Sequence, residues 1–173
     1  MATTHSHNVQ IRPLRQTEEA ARCAQFMSAS EPWMTLRRTY DDSFKMLTDP
    51  SRESYLAVAE SQTVGFMILN VKGAFAGYIQ TVCIFPEWRN EGIGTTLIDF
   101  AEKRIFRDSP NVFMCVSSFN RNAQRLYERL GYRVVGELKD YIVPGHSEIL
   151  LRKTIAPLTE YEKTPTASRG KNE

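Results

Sequence analysis

The chain reads Tyr78-Ile-Gln-Thr-Val-Cys-Ile-Phe-Pro86, then Glu87-Trp-Arg-Asn-Glu-Gly-Ile-Gly94, then Thr95-Thr-Leu-Ile-Asp-Phe-Ala-Glu-Lys-Arg-Ile-Phe106. The first segment is rich in β-branched and aromatic residues and stops at a proline, which predicts a strand. The last carries Ile93, Leu97, Ala101 and Ile105 on one helical face, with Ile98 beside them. That is the apolar stripe of a helix packed on a sheet. Between them stand Arg89, Gly92 and Gly94. Helix N-termini present unpaired N–H groups and a partial positive charge, and glycine lets an anion approach the backbone closely. The stretch therefore predicts a strand, a tight turn and a helix start able to hold an anion.

Known phosphate loops narrow that reading. A Walker loop needs Gly-Lys-Ser/Thr, and none follows Gly92. A dinucleotide fingerprint needs a third glycine where Leu97 stands, and a second strand bearing an acid. Arg-x-x-Gly-x-Gly remains, against the alternative of a glycine-rich turn in any α/β protein.

Outward from this centre the chain alternates strand and helix signals. Val9 to Arg12 predicts a short strand ending at Pro13. Thr17-Glu-Glu-Ala opens a helix with acids in its first turn, running to about Ser28. Glu31-Pro-Trp-Met34 breaks it, and Tyr40 to Leu47 predicts a second helix. Strands follow at Tyr55 to Glu60 and Val64 to Val71, close enough to the central strand for a meander. After Asp108-Ser-Pro110, the run Asn111 to Ser117 has the length and apolarity of a buried central strand. A strand–helix–strand unit of this kind gives a parallel pair with a right-handed crossover. Asn120 to Leu130 predicts another helix, capped by Asn120 and ended by Gly131 in the left-handed position. Tyr132 to Val143 and Ser147 to Ile155 predict a hairpin turning at Pro144-Gly145. One domain spans residues 9–155, with a disordered segment at 1–8 and a flexible tail at 156–173 made largely of Thr, Glu, Lys, Pro, Ser and Gly.

Composition excludes several classes. The 173 residues, 42% hydrophobic and 24% charged, suit one globular core. A net charge of +2 without a basic cluster argues against a nucleic acid partner. No apolar run is long enough to span a membrane and no secretory signal stands at the N-terminus. Cys23, Cys83 and Cys115 are widely spaced within apolar runs, which predicts reduced thiols and a cytoplasmic location. The only histidines are His5, His7 and His146, and with no Cys/His cluster no metal site is expected.

The segment Asn120-Arg-Asn-Ala123-Gln-Arg-Leu-Tyr127-Glu-Arg-Leu-Gly131-Tyr132 turns the central loop into a specific reading. Asn-x-x-Ala-x-x-Leu-Tyr followed by Gly and an aromatic resembles the second diagnostic segment of the GCN5-related N-acetyltransferases (GNAT). It follows the Arg-x-x-Gly-x-Gly loop in the family's order and spacing. The element order agrees over roughly residues 9 to 155. Glu31-Pro-Trp33 and Glu148-Ile-Leu-Leu-Arg-Lys153 are most similar to the branch that acetylates protein N-termini, including the ribosomal-protein alanine acetyltransferases.

The resemblance implies an α/β fold: a mixed sheet of about seven strands flanked by about four helices, its fourth and fifth strands splayed around acetyl-CoA. It implies that Val82, Cys83 and Ile84 bond the pantetheine arm and thioester through their backbone. Arg89, Asn90, Glu91, Gly92, Ile93, Gly94 and Thr95 would hold the pyrophosphate, Asn120 would bond the arm from the far side, and Tyr127 would stand beside the sulfur as the catalytic residue, either an acid with a depressed pKa or a hydrogen-bond donor to the departing thiolate. Trp33, Tyr78 and Tyr141 are candidates for substrate binding. Arg121 and Arg125 could approach the cofactor phosphates, and each residue also has a plainer role: Tyr127 as a core tyrosine, Asn120 as a helix cap, Arg89, Arg121 and Arg125 as solvated charges, Cys83 and Cys115 as small buried hydrophobes.

The implied reaction is direct attack of a neutral amine on the thioester, in a monomer or homodimer that uses no metal. In the ribosomal-protein branch a fifth-strand glutamate lies five residues before the motif asparagine; here that position is Cys115. Some N-terminal acetyltransferases use a tyrosine early on the fourth strand, near Tyr78, and Tyr141, His146 and Glu148 are further candidates for the base. The acceptor expected is an α-amino group of a protein or peptide. The alternatives are a small-molecule amine, such as an antibiotic or metabolite, and a non-catalytic CoA-binding sensor.

Overall fold

The computed structural model describes residues 8–73 and 75–162. The segments 1–7 and 163–173, where disorder is expected, lie outside the described residues. Seven strands form one sheet: β1 (Gln10–Pro13), β2 (Glu53–Ala59), β3 (Gln62–Asn70), β4 (Tyr78–Ile84), β5 (Asn111–Ser117), β6 (Arg133–Leu138) and β7 (Glu148–Thr154), in the order β1-β2-β3-β4-β5-β7-β6. Four α-helices flank it: α1 (Thr17–Ser28), α2 (Tyr40–Thr48), α3 (Ile93–Ile105) and α4 (Arg121–Arg129). All neighbours are antiparallel except β4 and β5, which are parallel across the α3 crossover.

The sheet separates two cores. On one face Ile93, Leu97, Ile98, Ala101 and Ile105 of α3 pack on Ile79, Val112, Met114 and Val116, with Ala123 and Tyr127 of α4 and its C-cap Leu130 beside them. On the other, Ala20, Cys23, Ala24 and Met27 of α1 and Met46 and Leu47 of α2 cover Leu56, Phe66, Ile68 and Cys83. The four-residue spacing read in the sequence is the buried stripe of α3.

Two irregularities on β4 set up everything downstream. At its start, Gly77 has φ +91°, and a Cβ there would lie 2.5 Å from both the Asn111 carbonyl oxygen and Ile105 Cγ2. Only glycine fits, so β4 can meet the end of α3 and the start of β5 at this point. Further on, Ile68 pairs Thr81 while Leu69 pairs Ile79, so Gln80 is an extra residue, a β-bulge. The bulge resets the alternation. Ile79, Val82 and Ile84 all face the α3 side, while Cys83 faces α1 and α2.

One expectation needs correction. The hairpin strand ends at Leu138, not Val143, and residues 139–147 form a long connection. Asp140 adopts φ +51° and its carboxylate accepts the Gly145 N–H at 2.7 Å, closing the loop on itself. The apolar letters of Tyr141-Ile-Val143 read as strand continuation, yet Tyr141 is exposed while Val143 is buried.

Gly77→Ala is expected to destabilise the fold by roughly 2–4 kcal/mol, from a strained φ plus overpacking. Thermal denaturation measures it, and an unchanged midpoint would remove Gly77 as a constraint on the β4–β5 junction.

Candidate active site

Parallel pairing between β4 and β5 covers only Tyr78↔Phe113 and Ile79↔Met114. Beyond it the strands part, while β4 stays paired to β3 as far as Ile84. Among the described residues the edge of β4 from Gln80 to Ile84 that faces β5 therefore has no strand partner, and its backbone groups need another. A cavity of about 860 Å³ opens there.

The glycine loop forms one wall. A turn at Pro86–Trp88 leads to Asn90 at φ +67° and Gly92 at φ +78°, the N-cap of α3. The first helical bond runs from Thr96 N–H to Gly92 O, so the preceding N–H groups at the helix start are left for an anion. A Cβ on Gly92 would meet nothing within 4 Å, and one on Gly94 would meet only Leu126 at 3.6 Å and Ile84 at 3.9 Å. The space before these glycines is open to a ligand. The Arg89 guanidinium donates from Nε to the Ile84 carbonyl at 3.2 Å, which braces the loop against the end of β4.

Helix α4 forms the opposite wall. Asn120 caps it, its side-chain oxygen accepting the Ala123 N–H at 3.2 Å, while its amide NH2 meets no acceptor among the described residues. At the far end Gly131, at φ +90°, closes the helix: its N–H bonds Glu128 O and the Tyr132 N–H bonds Tyr127 O. This Schellman arrangement brings the residue after the glycine against the helix's last turn. The rings of Tyr127 and Tyr132 meet edge to face at 6.0 Å. Tyr132 is itself held by Lys153, whose ammonium lies 5.8 Å over the ring and pairs with Glu102 of α3 at 2.6 Å. Burial pushes the Tyr127 hydroxyl up to about 12, so it stays protonated at any physiological pH.

Most residues singled out in the sequence meet at this cavity. Val82, Cys83 and Ile84 line it from β4, with the Cys83 side chain itself packed into the α1–α2 core. Arg89, Asn90, Gly92, Gly94 and Thr95 line it from the loop, and Asn120 and Tyr127 from α4. Trp33 lines it beside Glu31 and Pro32, stacked on Phe66 at 6.5 Å. Ile93 is buried in the core and can offer only its backbone, and Glu91 is exposed without lining the cavity.

Tyr78 and Tyr141 also stand outside the lining. Tyr78 and Cys115 lie near one another at the junction where the strands part, and burial raises both the phenol and the thiol. Glu148 lies opposite Ser117, whose hydroxyl donates to it at 2.6 Å, and burial raises its carboxyl as well. His146 packs against Phe119 at the cavity's rim, with ring centroids 5.0 Å apart. Sequence reasoning missed Trp88, Phe119, Asn122 and Arg129 as lining residues. Helical spacing carried a signal for the last, since Arg129 follows Arg125 by one turn on the same face.

Among the described residues no helix is long and apolar enough to cross a membrane, and no group of three or more side chains could hold a metal. Comparison with known proteins agrees with the geometry. An N-alpha-acetyltransferase of Saccharolobus solfataricus is 24% identical over 114 residues, covering 58% of this chain and 68% of that protein. Arabidopsis thaliana NAA60, solved in complex with acetyl-CoA, superposes with a TM-score of 0.71 at 20% identity, covering 86% of this chain and 99% of that one. The aminoglycoside 6'-N-acetyltransferase from Enterococcus faecium reaches 0.64 at 17% identity, covering 86% and 98%. Residues 15–132, from the start of α1 through the glycine loop to Tyr132, match the Acetyltransferase (GNAT) family, and the chain belongs to that family of acyltransferases.

Proposed function

We propose that this protein transfers the acetyl group of acetyl-CoA to an α-amino group of a protein or peptide, by direct attack within a ternary complex. The observation that carries the α-amine reading is at the β4–β5 junction. The fifth-strand glutamate of the ribosomal-protein branch is replaced here by Cys115, and burial raises both Cys115 and the nearby Tyr78, so neither is a base at neutral pH. The N-alpha-acetyltransferase relative supports the same substrate class.

The residues divide the work as follows. Acetyl-CoA supplies an activated acetyl as a thioester. The unpaired edge of β4 around Val82 to Ile84 offers backbone donors to the thioester oxygen, where negative charge grows during attack. The start of α3 and the bare Gly92 and Gly94 suit the pyrophosphate. Tyr127, which lines the same cavity, would stand beside the sulfur. With its hydroxyl pushed up to about 12 and a thiol near 8.5, full proton transfer would be uphill by roughly 5 kcal/mol. Tyr127 therefore acts as a hydrogen-bond donor to the departing thiolate; the proton that the attacking nitrogen sheds as the C–S bond breaks passes to water, and the thiolate takes one back from water.

A small-molecule amine is the second reading, favoured by the aminoglycoside acetyltransferase likeness. Against a polycationic acceptor, Glu31 is the one acid among the cavity's lining residues, and several arginines share it.

Gly94→Val is expected to leave the protein folded, since its first added carbon meets only ordinary contacts. It should weaken acetyl-CoA binding at least tenfold, about 1.4 kcal/mol, by filling the approach to the backbone. Unchanged affinity by calorimetric titration would remove the loop from the site. Tyr127→Phe should lower kcat about a hundredfold with little change in acetyl-CoA affinity. Because the hydroxyl titrates near 12, the wild-type rate should show no Tyr127-dependent loss below about pH 11. A Phe variant with full turnover would return Tyr127 to the core.

The substrate class is tested with two matched peptides, one with a free N-terminus and blocked lysine, the other reversed. An α-amine titrates near 7.7–8.0 and a lysine near 10.4, a difference worth about 3.5 kcal/mol in reaching the neutral form. The α-amine peptide should react faster, at a rate rising from pH 7 to 9. Faster acetylation of the lysine peptide would overturn the reading, and a small amine outrunning both would favour the second.

A further inference from the structure

Helix α4 carries Arg121, Arg125 and Arg129 one turn apart on a single face. Like charges at this spacing destabilise a helix. Among the described residues no ion pair offsets them: Arg121 bonds the Gln124 side chain, Arg125 bonds Asn122 Oδ1, and the Arg129 guanidinium has no partner. The last turn favours a cation at Arg129 through the helix dipole, but that does not explain the stripe. Its position does. Arg125 and Arg129 line the same cavity as the glycine loop, with Asn122 between them and Asn120, while Arg121 lies outside.

Acetyl-CoA has two anionic groups, the pyrophosphate and the 3′-phosphate of its ribose. On the proposed reading the start of α3 takes the first. The second needs its own countercharge, and guanidinium groups are suited to bind a phosphate through paired N–H donors. We infer that Arg125 and Arg129 form a subsite for the 3′-phosphate of acetyl-CoA, and that this subsite selects the free coenzyme thioester over acetyl donors lacking that phosphate. An acetyl group on phosphopantetheine, whether free or carried on a protein, would keep the thioester and the pantetheine arm but lose this contact. The inference rests on acetyl-CoA being the donor.

The test is calorimetric titration of the full chain with acetyl-CoA and with acetyl-3′-dephospho-CoA. Wild type should prefer acetyl-CoA by about tenfold or more, the scale of one or two charge-assisted contacts. The double variant Arg125→Ala/Arg129→Ala should bring the two affinities within about twofold, by weakening acetyl-CoA alone. Arg121→Ala, outside the cavity, should keep the wild-type preference, and thermal melts should confirm that both variants fold. Equal wild-type affinities for the two ligands would overturn the subsite. So would a double variant that weakens both equally, which would mark the arginines as a general field or a structural element. A wild-type protein that binds neither ligand would instead overturn acetyl-CoA as donor, and the subsite with it.

Discussion

The site depends on a parallel strand pair that stops almost as soon as it starts. β4 and β5 pair at Tyr78↔Phe113 and Ile79↔Met114, and no further. A buried strand edge cannot be left without hydrogen-bond partners, so the gap is either filled by water or reserved for a ligand. Gly77 fixes where the pair begins, because its positive φ and missing Cβ let β4 come hard against Asn111 and Ile105. Gln80 fixes how it ends. The bulge turns Val82 and Ile84 towards α3 and so aligns the rest of β4 with the glycine loop that follows. The cavity is thus a consequence of two backbone irregularities four residues or fewer apart, with side chains arranged around it.

The opposite wall is built by a helix ending. Gly131 lets α4 stop in the left-handed conformation, and the two reversed hydrogen bonds that follow bring Tyr132 back onto Tyr127. Tyr132 is anchored in turn by the Lys153–Glu102 pair, which ties β7 to α3 across the core. The Tyr127 ring is therefore oriented from behind by elements of three different origins. An aromatic at position 132 and a glycine at 131 matter to Tyr127 as much as the tyrosine itself does.

These couplings explain what could be read in the sequence. The loop from Arg89 to Gly94 was legible because glycine at a helix start has few other uses, and α3 because its apolar stripe is regular. Asn120 and Tyr127 were legible only together with Gly131 and Tyr132, since a cap and a core tyrosine are each common alone. The splay depended on a family resemblance, because the Gln80 bulge leaves no local trace: Tyr78 to Ile84 reads as an unbroken strand. The loop at 139–147 was misread because Tyr141-Ile-Val143 has strand letters, and the contact that bends it, Asp140 to the Gly145 N–H, has no periodic signature. Arg125 and Arg129 look like a solvated face in sequence. Only the position of α4 across from the glycine loop distinguishes them from Arg121.

Burial acts in one direction on the acids near the cleft. Tyr127, Tyr78, Cys115 and Glu148 are all raised, each chiefly by loss of water. Three of the four are therefore neutral donors across the physiological range. A dry site strengthens hydrogen bonds and backbone dipoles, while making any unpaired charge costly. Full charges are instead found further out, on the exposed guanidinium groups of Arg89, Arg125 and Arg129. The cleft is thus divided, with a cationic rim suited to anchoring a polyanionic donor and an interior in which Tyr127, Tyr78 and Cys115 are uncharged. On the proposed reading the amine must shed its proton before it reaches the thioester. Selection among amines then follows from how readily each does so in water, before any contact with its side chain is made.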